Sequence, residues 1–533
     1  MGLREVWHAD LGERNSLYAD HGYIVSSALQ GRGLMITQMA TGRRLSEISP
    51  HDIPQEYTAE HLRISGSTLV IAWTALGSDP VLLRGYGVET GRQIWRRDVD
   101  QPSGWGPRVE LTENMAAVFS GFPAKVNAFG AHTGAHLWSA ETVHPEGLRL
   151  PSREPSAVYA GAGKVWYAFM WHRYPGSLAT LTALDSFTGA KLWQRAIRMP
   201  AAPSSYDATG YPTSLQLAPS DSGDIAVNLG EEHRLYSNSG RLLSQGSDYV
   251  WSLARKGSVL YAQEKDQWAK EYTPFRLRVL DVNSGGKLWE RSVYAPLELE
   301  GDSLIGQIHH EWPMATYVEY VALPSGRSVQ IPVLSSVFHT DLIGSDGDLL
   351  AFWEEKEHGN SSSQVPLGRL TVYRLITDPG NSYPALAGLP PARWPNACRL
   401  LPLSKLPTDA HYTPIPQRRS IFGTRLPRPS TCTYVPGTGT APLIRLTVEW
   451  TAPSPREAER LLRSRLALAR LSFQTAEWIG PRRIAVTEVP PSGKIYAVYV
   501  RIGASLVRIT TTPAAPALVR RAAAAVDSSG SHD

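Results

Sequence analysis

The chain has 533 residues, 42% of them hydrophobic and 19% charged, which is the profile of a folded water-soluble protein and excludes a disordered or collagen-like chain. No apolar run approaches the ~18 residues that a membrane-spanning helix needs, and the scattered 45 Gly and 40 Pro point to many short strands joined by turns. The formal net charge of +4 is uneven: residues 395–533 hold 19 Lys+Arg against 8 Asp+Glu, a net +11, leaving −7 for residues 1–394. Of those 19 cations 17 are Arg, a bias that coding composition explains as well as anion binding does.

In chain order, the opening "MGLREVWHADLG" lacks a basic segment followed by an apolar core, so no secretory leader is visible. That leaves a cytoplasmic location or a leader removed ahead of Met1. "REVWHADLG" reads as a strand carrying Trp7 with no hairpin of its own.

A repeat follows. "ITQMATGRRLS", "GYGVETGRQIW", "AFGAHTGAHLW", "ALDSFTGAKLW", "LYSNSGRLLS", "VLDVNSGGKLW" and "VALPSGRSVQ" align on Gly42, Gly91, Gly134, Gly189, Gly240, Gly285 and Gly326. Their successive spacings are 49, 43, 55, 51, 45 and 41 residues, a period that suits a four-stranded antiparallel blade. Glycine supplies the positive φ of a hairpin turn, and the Thr or Ser before it can bond the local backbone. Four residues after the glycine stands Trp95, Trp138, Trp193 or Trp289. A Trp at a fixed offset from a repeated turn is a packing device against the neighbouring unit. Upstream strands such as "GSTLVIAWTA", "GKVWYAFMW" and "GDLLAFWEE" alternate apolar residues.

The last repeat has inner strands but neither a TG turn nor an outer strand. Pairing the Trp7 strand with Leu370–Thr377 completes it from both chain ends, and the expected fold is an all-β propeller of eight four-stranded blades, with seven as the runner-up. The long inserts Met170–Ala179, Lys265–Phe275 and "EEKEHGNSSSQVPLG" are the candidate partner-binding loops, through Trp171, Arg173, Tyr174, Trp268 and Tyr272.

The repeat resembles that of the pyrroloquinoline-quinone-like propellers over about residues 1–378. That superfamily includes quinoprotein alcohol dehydrogenases and the outer-membrane assembly lipoprotein of the β-barrel machinery. Ser46, Ser244 and Gln330 stand where the docking Trp is expected, so those blades pack differently. The enzyme branch of the resemblance implies a vicinal Cys pair over a quinone, a Trp floor and a calcium-holding carboxylate set. There is no adjacent Cys pair, and no carboxylate set aligns.

Other motifs are fragments. "GAGKVW" lacks the full phosphate-loop spacing. His309 and His310 in "HHEW" point to opposite faces of a strand, without an evident third ligand. "SDSGD" and "GSDGD" lack the alternation of a calcium loop. No nucleophile elbow or zinc-protease helix occurs. No cofactor and no metal are therefore expected.

From Asp378 the texture changes. Residues 379–397 form a Pro-rich connector, 398–527 a small α+β domain of order β-α-β-β-β-α, and 528–533 a disordered tail. Strand "PLIRLTVEWT" precedes a helix with Ser454 as N-cap, Pro455 at its first position and Glu457 completing a capping box. "RRIAVTEV", "KIYAVYVRIG" and "SLVRITTT" are further strands, and "PALVRRAAAAV" is the final helix. Cys398 and Cys432 read as two lone thiols or as one disulfide. "NACRLL", "STCTY" and "VRIGASLVRI" make this part weakly similar to small actinobacterial lipoprotein domains of unassigned function. That resemblance implies a Cys398–Cys432 disulfide and a place in the cell envelope, although no lipidated N-terminal Cys is present.

The function expected is non-catalytic binding or scaffolding in the envelope, through the propeller loops and the basic domain, with protein partners and contact to a membrane or cell-wall surface. The alternatives are an extracytoplasmic sensor of cell-wall or small molecules, and a quinone- or metal-dependent oxidoreductase. No nucleic-acid partner is expected.

Overall fold

A computed structural model describes residues 2–11, 17–27, 33–52, 54, 57–74, 80–100, 108–120, 125–141, 157–171, 178–198, 215–229, 232–265, 274–295, 297–300, 302–309, 316–323, 325–333, 340–355, 368–376, 391–421, 424–437, 441–452, 454–471, 475–488 and 495–529. Eight four-stranded antiparallel sheets form the blades of a β-propeller. Blades 1 to 7 span residues 18–48, 58–99, 108–141, 157–198, 215–246, 249–293 and 297–332. Blade 8 takes three strands from 340–376 and its fourth from the N-terminus, in the order Gly2–Leu11, Gly368–Ile376, Leu349–Glu355, Thr340–Asp346. Trp7 lies opposite Val372 in that antiparallel pair. The chain ends therefore share one blade, as the orphan strand implied.

The chain divides into two compact units, Gly12–Gly301 and Met1–Leu11 with Asp302–Asp533. In the first unit the core lies between successive sheets. Val70, Leu83 and Trp95 of blade 2 pack with Val109, Val118 and Phe129 of blade 3, and Trp138 of blade 3 packs with Val165 and Tyr167 of blade 4. Each sheet buries both faces of its middle strands, which is why Thr68–Thr74 and Val81–Gly87 read as nearly unbroken apolar runs.

All seven repeat glycines have positive φ, between 62° and 78°. At six of the seven the Thr or Ser before the glycine accepts the amide two residues on, as when Thr188 Oγ1 takes the Ala190 N–H at 3.3 Å and Ser284 Oγ takes the Gly286 N–H at 3.1 Å, whereas the Arg241 N–H after Gly240 goes to Ser237 Oγ at 3.1 Å. In blade 4 the Asp185 carboxylate accepts the Thr188 hydroxyl at 2.9 Å and the Thr188 and Phe187 amides at 2.8 and 3.0 Å, and these bonds, the hydroxyl's foremost, hold it below the usual carboxylate range.

In the second unit the C-terminal domain is a seven-stranded sheet. Its order is Thr413–Gln417, Thr431–Val435, Leu443–Thr451, Ser505–Thr512, Ile495–Ile502, Arg483–Glu488, Thr475–Gly480. Helix α1 is the single turn Ala397–Leu400, α2 is Pro455–Leu471 and α3 is Pro516–Ser529. Four strands were expected, and three more were missed for identifiable reasons. Thr413–Gln417 carries Pro414 and Pro416 and sits at one edge. Thr475–Gly480 is a mostly exposed strand at the other edge, without alternation. Thr431–Val435 is short and fully buried over its first four residues. The final helix runs to Ser529, into the polar end expected to be disordered.

The Cys398–Cys432 disulfide is present, with Cα atoms 5.0 Å apart, and joins α1 to the second strand. Ser454 caps α2: its Oγ accepts the Glu457 N–H at 3.3 Å and donates to the Glu457 carboxylate at 3.3 Å. The domain packs on blade 7. Tyr317 meets Trp450 edge-on with centroids 5.8 Å apart, and Trp394 meets the same indole at 5.4 Å. All three rings are buried. Among the described residues no helix is long and apolar enough to cross a membrane.

Candidate interaction site

Trp95, Trp138 and Trp193 are placed by their hairpins to grip the next blade. Trp95 Nε1 donates to Ala131 O at 3.0 Å, Trp138 Nε1 to Ser186 O at 2.7 Å and Trp193 Nε1 to Asn238 O at 3.0 Å. Each indole lies on the turn glycine of that blade, so that a Cβ on Gly134, Gly189 or Gly240 would fall 2.5–2.7 Å from ring atoms. Arg97 and Arg195, two residues beyond their tryptophans, add Nε–H bonds to Gly134 O and Gly240 O at 2.7 and 2.8 Å. Trp289 is half-buried and meets Tyr261 edge-on at 6.5 Å, and Trp7 is half-buried beside a bulge between Glu5 and Trp7.

The positions without Trp reach for the same groups by other means. Ser46 Oγ donates to Val88 O at 2.5 Å, the carbonyl three residues before Gly91. Beside Ser244, Arg241 donates to Val282 O and Asn283 O at 2.5 and 2.8 Å, ahead of Gly285. Gln330 instead turns inward and donates to the buried Glu319 carboxylate at 2.9 Å. Nothing in a single repeat signals which substitute will be used.

Of the candidate loop residues, Arg173, Tyr174, Trp268 and Tyr272 lie outside the described residues, as does the "HEW" portion of "HHEW". Trp171 closes the strand Lys164–Trp171, and its side chain is also outside them, as is that of His309 at the end of Ser303–His309. The structure does describe both roots of the Lys265–Phe275 loop, and there an aromatic cluster stands. The strand Tyr249–Lys256 has a bulge: pairing passes from Val250 opposite Glu264 to Ser252 opposite Gln263, and Trp251 has no partner. A bulge re-aims the extra side chain. Trp251 is 50% exposed. Tyr249 braces it edge-on at 5.3 Å and Phe275 at 5.9 Å, and Lys265 Nζ lies 4.8 Å over the Phe275 ring. Sequence patterning missed Trp251 because bulge position depends on the partner strand.

Side chains alternate along a strand, so Glu264 and Arg276, the neighbours of Lys265 and Phe275, point to the opposite face. There they meet His233 of blade 5. Glu264 is fully buried, 3.5 Å from His233 Nε2, and accepts Arg276 Nε at 3.1 Å and an ion pair from Arg278. Arg276 also pairs with Asp248. His233 Nδ1 lies 2.5 Å from Asp248 O and Nε2 lies 3.0 Å from Arg278 Nη2, an arrangement that suits a neutral ring with its proton on Nδ1. Burial, with Arg278 and Arg276 beside it, lowers the His233 pKa to about 4, and burial pushes the Glu264 carboxyl up to about 7. This cluster ties blade 5 to blade 6 behind the aromatic surface.

A second polar group lies along the first strands of blades 1 and 2. Arg63 Nε is 3.3 Å from Asp20, and Tyr18 OH donates to the same carboxylate at 2.8 Å. Nearby, Ser65 Oγ lies 3.0 Å from His132 Nε2, which resembles a nucleophile and base. The Ser65 hydroxyl is buried and already directed at Glu113 O, so the pair joins two turns. Among the described residues, no group of three or more His, Cys, Asp or Glu converges as a metal site.

Residues 4–238 match the family described as outer membrane protein assembly factor BamB. No protein in the curated comparison matches the chain in sequence. Solved structures with similar folds include the C-terminal WD40 domain of Sif2, at 9% identity and TM-score 0.42, covering 70% of this chain and 99% of that one. The Dos1 propeller is similar at 10% identity and TM-score 0.41, covering 70% and 95%. Apo AztD from Citrobacter koseri is similar at 13% identity and TM-score 0.32, covering 52% and 72%. These structural likenesses are too loose to bear on function. Turn chemistry and sheet order make this a β-propeller, and the sequence match over residues 4–238 supports pyrroloquinoline-quinone-like repeats there.

Proposed function

We propose that the protein is a non-catalytic binding or scaffold protein of the cell envelope, which engages protein partners through its propeller loops and its basic α+β domain. One observation carries the reading. Trp251, put out of register by a bulge and braced by two rings, is half exposed at the root of the Lys265–Phe275 loop. A large ring held rigidly in water loses little entropy when it is covered, which is what anchors of protein interfaces exploit. The match to the assembly-factor family agrees with a role in protein interaction. The Cys398–Cys432 disulfide supports an oxidising compartment.

The test places a photo-cross-linking amino acid at position 251 and, as a control, at exposed Arg96 on an outer strand. A discrete protein captured in the native host from 251 but not from 96 is expected. Its recovery by the tagged chain should fall at least about thirtyfold in Trp251→Ala, the cost of an interface anchor. Equal capture at both positions, or none, overturns the reading. Thermal stabilisation by cell-wall fragments without any protein partner would instead favour the sensor.

A further inference from the structure

We propose that one edge of the C-terminal sheet, formed by α1, the strand Thr413–Gln417 and the hairpin of Ser420–Ile421 with Thr424–Arg425, docks on an anionic lipid surface. The proposal goes beyond the Trp251 reading and stands on a different compact unit.

Residues 391–437 hold seven Lys+Arg and one acid, Asp409. Arg393, Arg399, Lys405, Arg418, Arg425 and Arg428 are exposed. Among the described residues none of the six has a carboxylate partner, and Arg428 reaches only Trp394 O, at 3.3 Å. Four arginines elsewhere in the domain are paired with carboxylates, while among the described residues Arg445, Arg456, Arg460, Arg482 and Arg521 have no carboxylate partner. Arg463 and Arg501 share Glu459 at 3.2 and 2.9 Å, Arg483 meets Asp527 at 3.3 Å and Arg520 meets Glu477 at 2.6 Å. Even Arg419, inside the same segment, is held by Glu449 at 3.0 Å. The chain as a whole is nearly balanced, with 53 Lys+Arg against 49 Asp+Glu, so the excess of cations over acids in this segment is local.

The segment folds as one piece. The disulfide joins α1 to Thr431–Val435, the strand paired with Thr413–Gln417. Leu426 N–H donates to Arg419 O at 2.9 Å, and Ala397 N–H to Pro429 O at 2.8 Å. Two aliphatic side chains stand exposed among the cations, Leu403 at 46% and Ile415 at 44%. Cations interleaved with aliphatics match a phosphate headgroup layer, where the charges meet phosphates and the aliphatics enter the acyl boundary. An added protein strand fits this edge poorly, because Pro414 and Pro416 carry no N–H to donate. Protecting the edge would not require cations on α1, at Lys405 or on the hairpin.

The test uses the full chain sedimented with vesicles of phosphatidylcholine alone or mixed with phosphatidylglycerol. Binding is expected only to the mixed vesicles, and its loss at ~1 M salt, where the screening length falls to about 3 Å. R399Q/R418Q/R425Q should weaken it about a hundredfold, at about fivefold per charge. R456Q/R463Q/R521Q removes the same charge elsewhere in the domain and should bind nearly as the wild type does. L403N/I415N should also weaken binding while leaving its salt dependence in place. W251A should bind vesicles normally, which separates this result from the partner reading. Absence of binding to anionic vesicles, equal loss in both arginine triples, or binding to polyglutamate but not to vesicles would each overturn the proposal.

Discussion

Replacing Gly189 by Ala tests whether the indole of one blade rests on the turn of the next. The residue has φ +70°, and an added Cβ would lie 2.6 Å from Trp138 Cε3. The left-handed backbone costs a non-glycine residue about 1–2 kcal/mol. Moving the ring adds about 1–3 kcal/mol of overpacking. Displacing Trp138 also weakens its 2.7 Å bond to Ser186 O, a bond worth about 1 kcal/mol. The expected destabilisation is therefore about 3–6 kcal/mol. Gly163 is the internal control: its φ is +72°, with nothing within 4 Å of an added Cβ, so Gly163→Ala should cost only the backbone part. Urea unfolding, compared at the midpoint of the same transition, should separate the two variants by about 2–4 kcal/mol. In a Trp138→Ala background the separation should vanish, because a double-mutant cycle removes the clashing partner. If Gly189→Ala costs no more than Gly163→Ala, or costs the same without the indole, the packing argument is wrong.

The blade 5–blade 6 cluster makes a pH prediction with two opposite signs. The unfolded chain protonates its histidine near 6.5, while folded His233 waits until about 4, so its contribution is lost as pH falls from 6.5 to 4. Folded Glu264 takes its proton at about 7 and the unfolded chain near 4.5, so its contribution grows as pH falls from 7 to 4.5. The two nearly cancel in the wild type. Relative to it, E264Q should lose about 1.4 kcal/mol per pH unit on acidification, and H233N should gain as much. Denaturation across this range checks the pair, and slopes of the same sign would refute the assignment. The disulfide closes a loop of 34 residues, which corresponds to about 3–4 kcal/mol of chain entropy. Reductant, or C398S/C432S, should lower the unfolding midpoint of the C-terminal domain. Two free thiols titrated without reductant would refute the bond.

What the sequence determined by itself is local. Glycine at positive φ, the Thr or Ser before it and the Trp four residues on all belong to one hairpin, so seven turns and the shared final blade were legible from spacing. The α2 cap was legible for the same reason, since Ser454 and Glu457 stand three residues apart. The remaining features depend on distant partners. The bulge that exposes Trp251 is set by registry with Gln263 and Glu264. Ser46 and Arg241 stand in for the missing indoles because a carbonyl of the next blade waits about 40 residues further on. The edge strands of the C-terminal sheet carry prolines or exposed polar residues, since an edge needs only one hydrogen-bonded side, and that removes the alternation that marks a strand. The exposed cations of that segment include Arg399 on a helix, Arg418 just past the edge strand and Arg425 on a hairpin, positions that only the fold brings into one segment tied by the disulfide.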